Sequence, residues 1–294
     1  MKEKSREDIF FQWVVNILAI IIGAVTLYPL IYVVSASLSS PTAIYNGDVF
    51  LFPVKLNINA YLRVFKSQDI LTGYKNTIIY AFGGTTISMI MTIMAAYPLA
   101  QRNLKGRDVI SIMILFTMFF SGGMIPNYIN LRNLKLLNTP WAILVPGTIS
   151  ATNMIIMRNY FQHSIPGDLH EAAKIDGSSA LGTMLRIILP LSKPILVVIT
   201  LYYFVGEWNA YTGPLLYLKD RKMWPLQVYL RQILVNSDMG DMAEVSGESD
   251  SDLSMLYASL RYAVIVVSAV PLLVIYPMIQ RFFQKGIMMG SLKG

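Results

Sequence analysis

The chain has 294 residues, of which 54% are hydrophobic and only 14% charged, with a net charge of +7 and no cysteine. Soluble domains carry about a quarter of charged residues, so this composition points to a membrane protein. The missing cysteine excludes disulfides, thiolate metal sites and cysteine nucleophiles, and basic residues scattered in short groups between apolar runs speak for a bilayer rather than nucleic acid.

A bilayer core about 30 Å thick takes about 20 mostly apolar residues as helix. Six stretches qualify, at 13–34, 76–100, 109–129, 141–160, 187–205 and 257–282. The first follows a leader with Lys2, Lys4 and Arg6. It is longer than the roughly 7 to 15 apolar residues of a cleavable signal core and has no small-x-small site after a short core, so it reads as an uncleaved span. The third to fifth contain or border Gly122, Gly123, Pro126, Pro146, Gly147, Pro190 and Pro194. Membrane helices tolerate such residues where neighbouring helices or a cavity satisfy the freed backbone groups. Six spans put both termini on one side, and the tight basic group Arg102, Lys105 and Arg107 in a very short loop assigns that side to the cytoplasm.

Two external segments are long. Residues 35–75 hold turns at Pro41 and Pro53 and the element NINAY at 57–61. Residues 209–256 hold an acidic stretch, Asp238, Asp241, Glu244, Glu248, Asp250 and Asp252. Such a charge run reads as a solvated, mobile loop or as a docking surface for an extracytoplasmic protein. With no internal repeat, residues 1–294 read as one membrane domain, with a cytoplasmic loop at 161–186 and a cytoplasmic tail at 283–294.

The loop between the fourth and fifth spans is the most informative segment, because its polar, glycine-punctuated sequence HEAAKIDGSSALGTMLRIILP (170–190) lies between two runs apolar enough to cross a membrane. Pro166 can open a helix, having no backbone donor to lose, and Asp168 suits the positive end of the helix dipole. Leu169, Ala172, Ala173 and Ile175 form a small apolar face, with Glu171 and Lys174 on more polar sides. Asp176 and Gly177 supply a turn, since glycine takes left-handed backbone angles at little cost. A second short helix runs through Leu181, Met184 and Leu185, and Pro190 marks entry into the next span. Small residues at Ala172 and Ala173 leave room for another protein to approach closely. On these residues alone, an interfacial hairpin with its apolar face in the headgroups is an equal reading.

The order Glu171, Ala172, Ala173, three residues, Gly177, nine residues, Ile187-x-Leu189-Pro190 resembles, without departure in spacing, the EAA loop of permease subunits of ATP-binding-cassette importers. Asp176 and Ser178 resemble the DG-[AS] core common in sugar importers. FVGEWNAYTGPLLYL (204–218) is similar to an element of sugar permeases, and Trp224-Pro225-Leu226 falls where a T-LP-like element usually follows. The NINAY element, YKNT at 74–77 and the tail IQRFFQKGIMMGSLKG look typical of maltose-type second permeases, and within these of the branch labelled lipoprotein permeases, thought to carry complex oligosaccharides.

The resemblance implies an all-α type I importer permease with six transmembrane helices, multi-pass in a bacterial cell membrane. Implied partners are a second permease in a heterodimer, a cytoplasmic ATPase dimer, an extracytoplasmic solute-binding protein and an oligosaccharide, besides membrane lipid. Glu171 becomes the charged ATPase contact, Ala172 and Ala173 the close-packed surface, and Gly177 the bend, with Asp176 and Ser178 beside it. Gly286, Gly290, Lys293 and Gly294 fit a tail that enters the ATPase dimer interface.

No catalysis is expected of this chain, and no cofactor or metal. Gly177 to Gly182 has GxxxxG spacing, but Thr183 stands where a phosphate-binding lysine would be, so ATP and Mg belong to a separate ATPase. His163 and His170 lack the thiolate or imidazole company of a zinc site. Tyr203, Trp208 and Asn209, near Glu207 and other aromatics, read as an interfacial belt or as part of a sugar pathway, aromatic faces stacking on sugar rings and polar groups bonding hydroxyls. An ion-gradient transporter would need buried mid-span charges, and only Glu207 comes close. A permease for a non-sugar solute is the other alternative.

Overall fold

A computed structural model describes the backbone of residues 6–101, 103–245 and 251–291, and side chains chiefly over 10–101, 103–235 and 258–277. The described residues form helices and connections, with no strand among them. In chain order the helices are α1 (Arg6–Ser37), α2 (Pro41–Tyr45), α3 (Asn59–Lys66), α4 (Gln68–Ala100), α5 (Arg107–Phe119), α6 (Met124–Asn133), α7 (Trp141–Leu144), α8 (Ala151–His163), α9 (Asp168–Ile175), α10 (Ala180–Thr183), α11 (Leu189–Leu191), α12 (Lys193–Trp208), α13 (Thr212–Tyr217), α14 (Leu226–Val245) and α15 (Ser251–Ser291).

Among the described residues, three stretches are long and apolar enough to cross a membrane unbroken, Phe10–Ser37, Gln68–Ala100 and Ala258–Pro277, and up to five if each of two bent pairs counts as one span. The expected third span breaks between α5 and α6 at an angle of 113°, where Gly122 and Gly123 leave the backbone without side-chain restraint. The expected fourth is interrupted at Pro146 and Gly147 into α7 and α8. At about 1.5 Å per residue, the 13 residues of α8 reach about 20 Å, short of the roughly 30 Å core. The expected fifth is bent near its start. A π-helical turn, Met184–Ile188, and α11 run on from α10, and the chain then turns by 86° into α12. Pro190 lies in α11, before the turn, and Pro194 in the first turn of α12, after it. The acidic stretch starts as helix: α14 continues through Asp238, Asp241 and Glu244 to Val245, Asp252 lies in α15, and Glu248 and Asp250 lie outside the described residues.

The chain packs as two compact units, Met1–Gln68 with Leu230–Val270, and Asp69–Tyr229 with Pro271–Gly294. In the first, Ala36 at the end of α1, Ala43 and Ile44 of α2, Val49 and Ala258 form a small core. In the second, α4 presents a stripe of small buried residues, Thr77, Ala81, Thr85, Ser88, Thr92 and Ala96, spaced three or four apart. Small residues at that spacing let helix backbones approach closely, which is how membrane helices gain packing without a hydrophobic driving force. Inward of the stripe, Met154, Met157, Ile188 and Ile199 are fully buried in the main core.

Candidate coupling site

Helix α9 is brief and well terminated. Asp168 and Glu171 lie in its first turn and Lys174 in its last, each matching the helix dipole. Asp176 N–H donates to Ala172 O (2.9 Å), Gly177 N–H to Lys174 O (3.1 Å) and Ser178 N–H to Ala173 O (2.9 Å). Gly177 has φ of +72°, the left-handed conformation that closes the helix. The chain restarts at once: Ser179 Oγ caps α10 by accepting from Gly182 N–H at 3.1 Å, and Thr183 Oγ1 donates to Ser178 Oγ at 3.1 Å. Two short helices are thereby locked at a fixed bend by local hydrogen bonds.

Which face is free corrects one expectation. Ala173 is 4% exposed and packed inward, so it offers no surface to another protein. Successive helical residues advance by about 100°, which puts Leu169 and Ala173 on the inner side and Glu171, Ile175 and Ala172 together on the outer. The outer three are exposed, Ile175 at 86%. The apolar face read from sequence is thus two faces, one holding the loop to its own chain and one leaving Ile175 exposed. Projecting the eight residues of α9 on a helical wheel, anchored on Leu169, would have found this.

Beside the exposed face lies a cavity of about 830 Å³. The C-terminal end of α4 contributes Tyr97 and Pro98, α9 contributes His170, Glu171 and Lys174, and Ser178 lies at the bend. His170 leans on Tyr97, ring centroids 6.1 Å apart. Burial holds the His170 imidazole below its usual value of 6.5. This pairing joins the loop directly to a span, a contact the sequence spacing does not reveal.

The other residues singled out from sequence are not gathered on one surface. Tyr203 is buried, its hydroxyl 2.6 Å from Thr92 Oγ1 and accepting at 3.0 Å from the backbone N–H of Ser150. Trp208 is 3% exposed, stacked on Phe204 with centroids 5.8 Å apart. Asn209 is exposed and, with Glu207, Tyr211 and Tyr217, lines a cavity of about 350 Å³. The Glu207 carboxyl rests on the bare backbone of Gly84, where an added Cβ would lie 2.8 Å from Glu207 Cδ. In the tail, Gly286 and Gly290 lie within α15, while Lys293 and Gly294 lie outside the described residues.

Residues 70–289 match the family described as "Binding-protein-dependent transport system inner membrane component". Protein LplC of Bacillus subtilis is 38% identical over 273 residues, covering 93% of this chain and 91% of its own. The polygalacturonan/rhamnogalacturonan transport system permease protein YtcP of the same organism is 41% identical over 271 residues, covering 90% and 92%. A chain in the crystal structure of a bacterial ABC transporter involved in import of the acidic polysaccharide alginate superposes with a TM-score of 0.85 and 36% identity, covering 96% of this chain and 100% of that one.

Proposed function

Because the chain belongs to the family of binding-protein-dependent transport system inner membrane components, we propose that it moves oligosaccharides as one half of a pseudo-symmetric permease pair. It is a multi-pass permease subunit of an ABC importer with the type I importer fold, and it performs no bond chemistry. In the proposed topology six spans form one domain, residues 1–294, with both termini in the cytoplasm of a bacterium and the bent helices completing the count. A carbohydrate cargo is supported by relatives whose names record polygalacturonan, rhamnogalacturonan and alginate transport.

Energy would enter at α9. The observation that carries this reading is the exposed arc Glu171, Ala172 and Ile175, held against its own span by Ala173 and His170 and terminated rigidly at Asp176, Gly177 and Ser178. A separate ATPase dimer, binding ATP and Mg, would grip that arc and transmit closure as a rigid-body movement of the spans. Such a movement requires contacts that differ between the two states, and a short, locally locked helix delivers them without deforming. Gly290, Lys293 and Gly294 would contribute a second contact with the ATPase. Sugar released by an extracytoplasmic binding protein would pass by Asn209 and the cavity it lines with Glu207 and Tyr211, while Tyr203 and Trp208 shape that path from behind.

The test uses the reconstituted complex with its second permease, ATPase and binding protein. Glu171→Lys places a cation on the gripping face, and Gly177→Pro demands φ near −65° where the chain has +72°. Each variant should lower sugar taken up per ATP hydrolysed by about tenfold, the scale of a coupling energy of 1–3 kcal/mol, while still inserting in the membrane. Wild-type stimulation of ATP turnover by cargo in both variants would overturn the assignment.

A further inference from the structure

The external segment between α1 and α4 carries an apolar surface that its own packing leaves uncovered. We propose that residues 50–58 and helix α3 are embedded in the lipid leaflet from which the C-terminal end of α1 emerges, with Phe50, Phe52, Leu56 and Ile58 among the acyl chains and Arg63 and Lys66 at the lipid phosphates.

Depth is set by α1. Its 32 residues make about 48 Å of helix, well beyond a core of about 30 Å, so both ends project. Tryptophan and tyrosine collect at the two boundaries of a membrane. Trp13, 65% exposed, marks one boundary, and Tyr28 and Tyr32 mark the other. From Trp13 to Tyr32 the helix rises about 28 Å, close to one core thickness. Tyr32 also meets Tyr262 edge-on at 5.8 Å, so a second helix carries a ring at this level.

The segment then folds back to that level. Ser35 Oγ donates to Leu51 O (2.6 Å), Val54 N–H to Ser39 Oγ (3.0 Å), and Asn57 N–H to Leu38 O (2.9 Å). These bonds fasten the segment to the last turns of α1, and the Phe50 ring comes to lie 5.4 Å from that of Tyr28. Tyr28 is nine residues before the end of α1, so Phe50 sits about 14 Å back along the helix.

The loop has a core of its own, with Ala43, Ile44 and Val49 buried. Phe50, Phe52, Leu56 and Ile58 nonetheless point outward: Phe52 is 80% exposed and Leu56 76%. Helix α3 divides likewise, Ala60 and Val64 inward, Leu62 and Phe65 outward, with Arg63 and Lys66 in its last turn. An apolar face edged with cations at the boundary of a bilayer is the pattern of an interfacial helix. A soluble binding protein would lie above this level. Lipid phosphates supply the anions that Arg63 and Lys66 require.

Because the chain has no cysteine, each variant can be labelled at one site in this subunit before it is assembled with its partners. Nitroxides at Phe52→Cys and Leu56→Cys, in the full complex reconstituted in phosphatidylethanolamine and phosphatidylglycerol vesicles, are compared with Ile20→Cys in mid-α1 and Lys219→Cys on the exposed surface. Collision with oxygen should exceed collision with a water-soluble nickel chelate several-fold at 52 and 56, as at 20 and unlike 219. Ratios at 52 and 56 matching 219 overturn the proposal, as does shielding from both reagents, which would place the second permease there. The readout is independent of the cargo and of which leaflet is the outer one.

Discussion

Removing the Tyr203 hydroxyl separates a scaffold role for this residue from a pathway role. Ser150 N–H donates to Tyr203 Oη at 3.0 Å, which leaves the phenol proton for Thr92 Oγ1 at 2.6 Å. Ser150 caps α8 just past the break at Pro146 and Gly147, and Thr92 is fully buried on α4, so one hydroxyl ties α8 to α4. Tyr203→Phe strands a backbone donor and a hydroxyl inside the protein. Hydrogen bonds between membrane helices average about 0.6 kcal/mol and reach about 1.7 kcal/mol, while a buried unsatisfied group costs about 1–3 kcal/mol. With two groups affected, the expected loss is about 2 kcal/mol. Thr92→Val should cost about 1 kcal/mol, and the double variant about 2 kcal/mol rather than 3 kcal/mol, since the second change removes a partner already lost. Denaturant titration in mixed micelles, followed by circular dichroism, measures all four corners of the cycle. If Tyr203→Phe keeps its unfolding midpoint yet shifts the sugar concentration for half-maximal uptake, the hydroxyl faces the cargo and the scaffold argument fails.

Two further perturbations probe contacts absent from the sequence reading. Gly84→Ala puts a methyl group 2.8 Å from Glu207 Cδ; it should cost about 1 kcal/mol as overpacking, and Glu207→Ala in the same chain should recover most of that cost in the unfolding midpoint. His170 has its folded-state value depressed by burial, so its packing on Tyr97 is complete above pH 6.5 and weakens as pH falls below it, because the exposed state then takes up a proton more readily. Hydrogen exchange over α9 should therefore accelerate between pH 7.5 and pH 5.5 in the wild type and stay level in His170→Phe; equal acceleration in both would remove His170 as the cause.

Composition and apolar run length were enough to locate helix on all six expected stretches, because the requirement for about 20 apolar residues is local and severe. They could not say where a helix turns. Gly122 and Gly123 permit a bend but do not specify 113°, and Pro190 and Pro194 each open a helix, with nothing in the sequence to give the 86° between them. The acidic run misled for a related reason. Charge predicts solvation, but it does not decide between a loop and a helix, and α14 continues through Asp238 and Asp241.

The coupling loop was legible because everything that shapes it lies within a few residues: Asp168 and Glu171 at the first turn, Gly177 at the stop, Ser179 at the restart. The opposite end of the same unit is built from long-range bonds. Asn76 Nδ2 donates to Lys222 O (2.7 Å) and Trp224 O (3.0 Å), Thr77 Oγ1 accepts from Leu226 N–H (2.8 Å), and Asn138 Oδ1 accepts from the N–H groups of Lys219 and Asp220 at 2.9 Å each. In each case a side chain meets backbone groups some 80 to 150 positions away, and a backbone group has no signature in sequence. A site made of caps can be read one residue at a time, whereas a site made of side chains on distant carbonyls exists only once the chain has folded. That is why the shape of the loop around Gly177 was visible in advance, and why the cavity lined by Glu207 and Asn209, and the burial of Tyr203 and Trp208, appeared only in three dimensions.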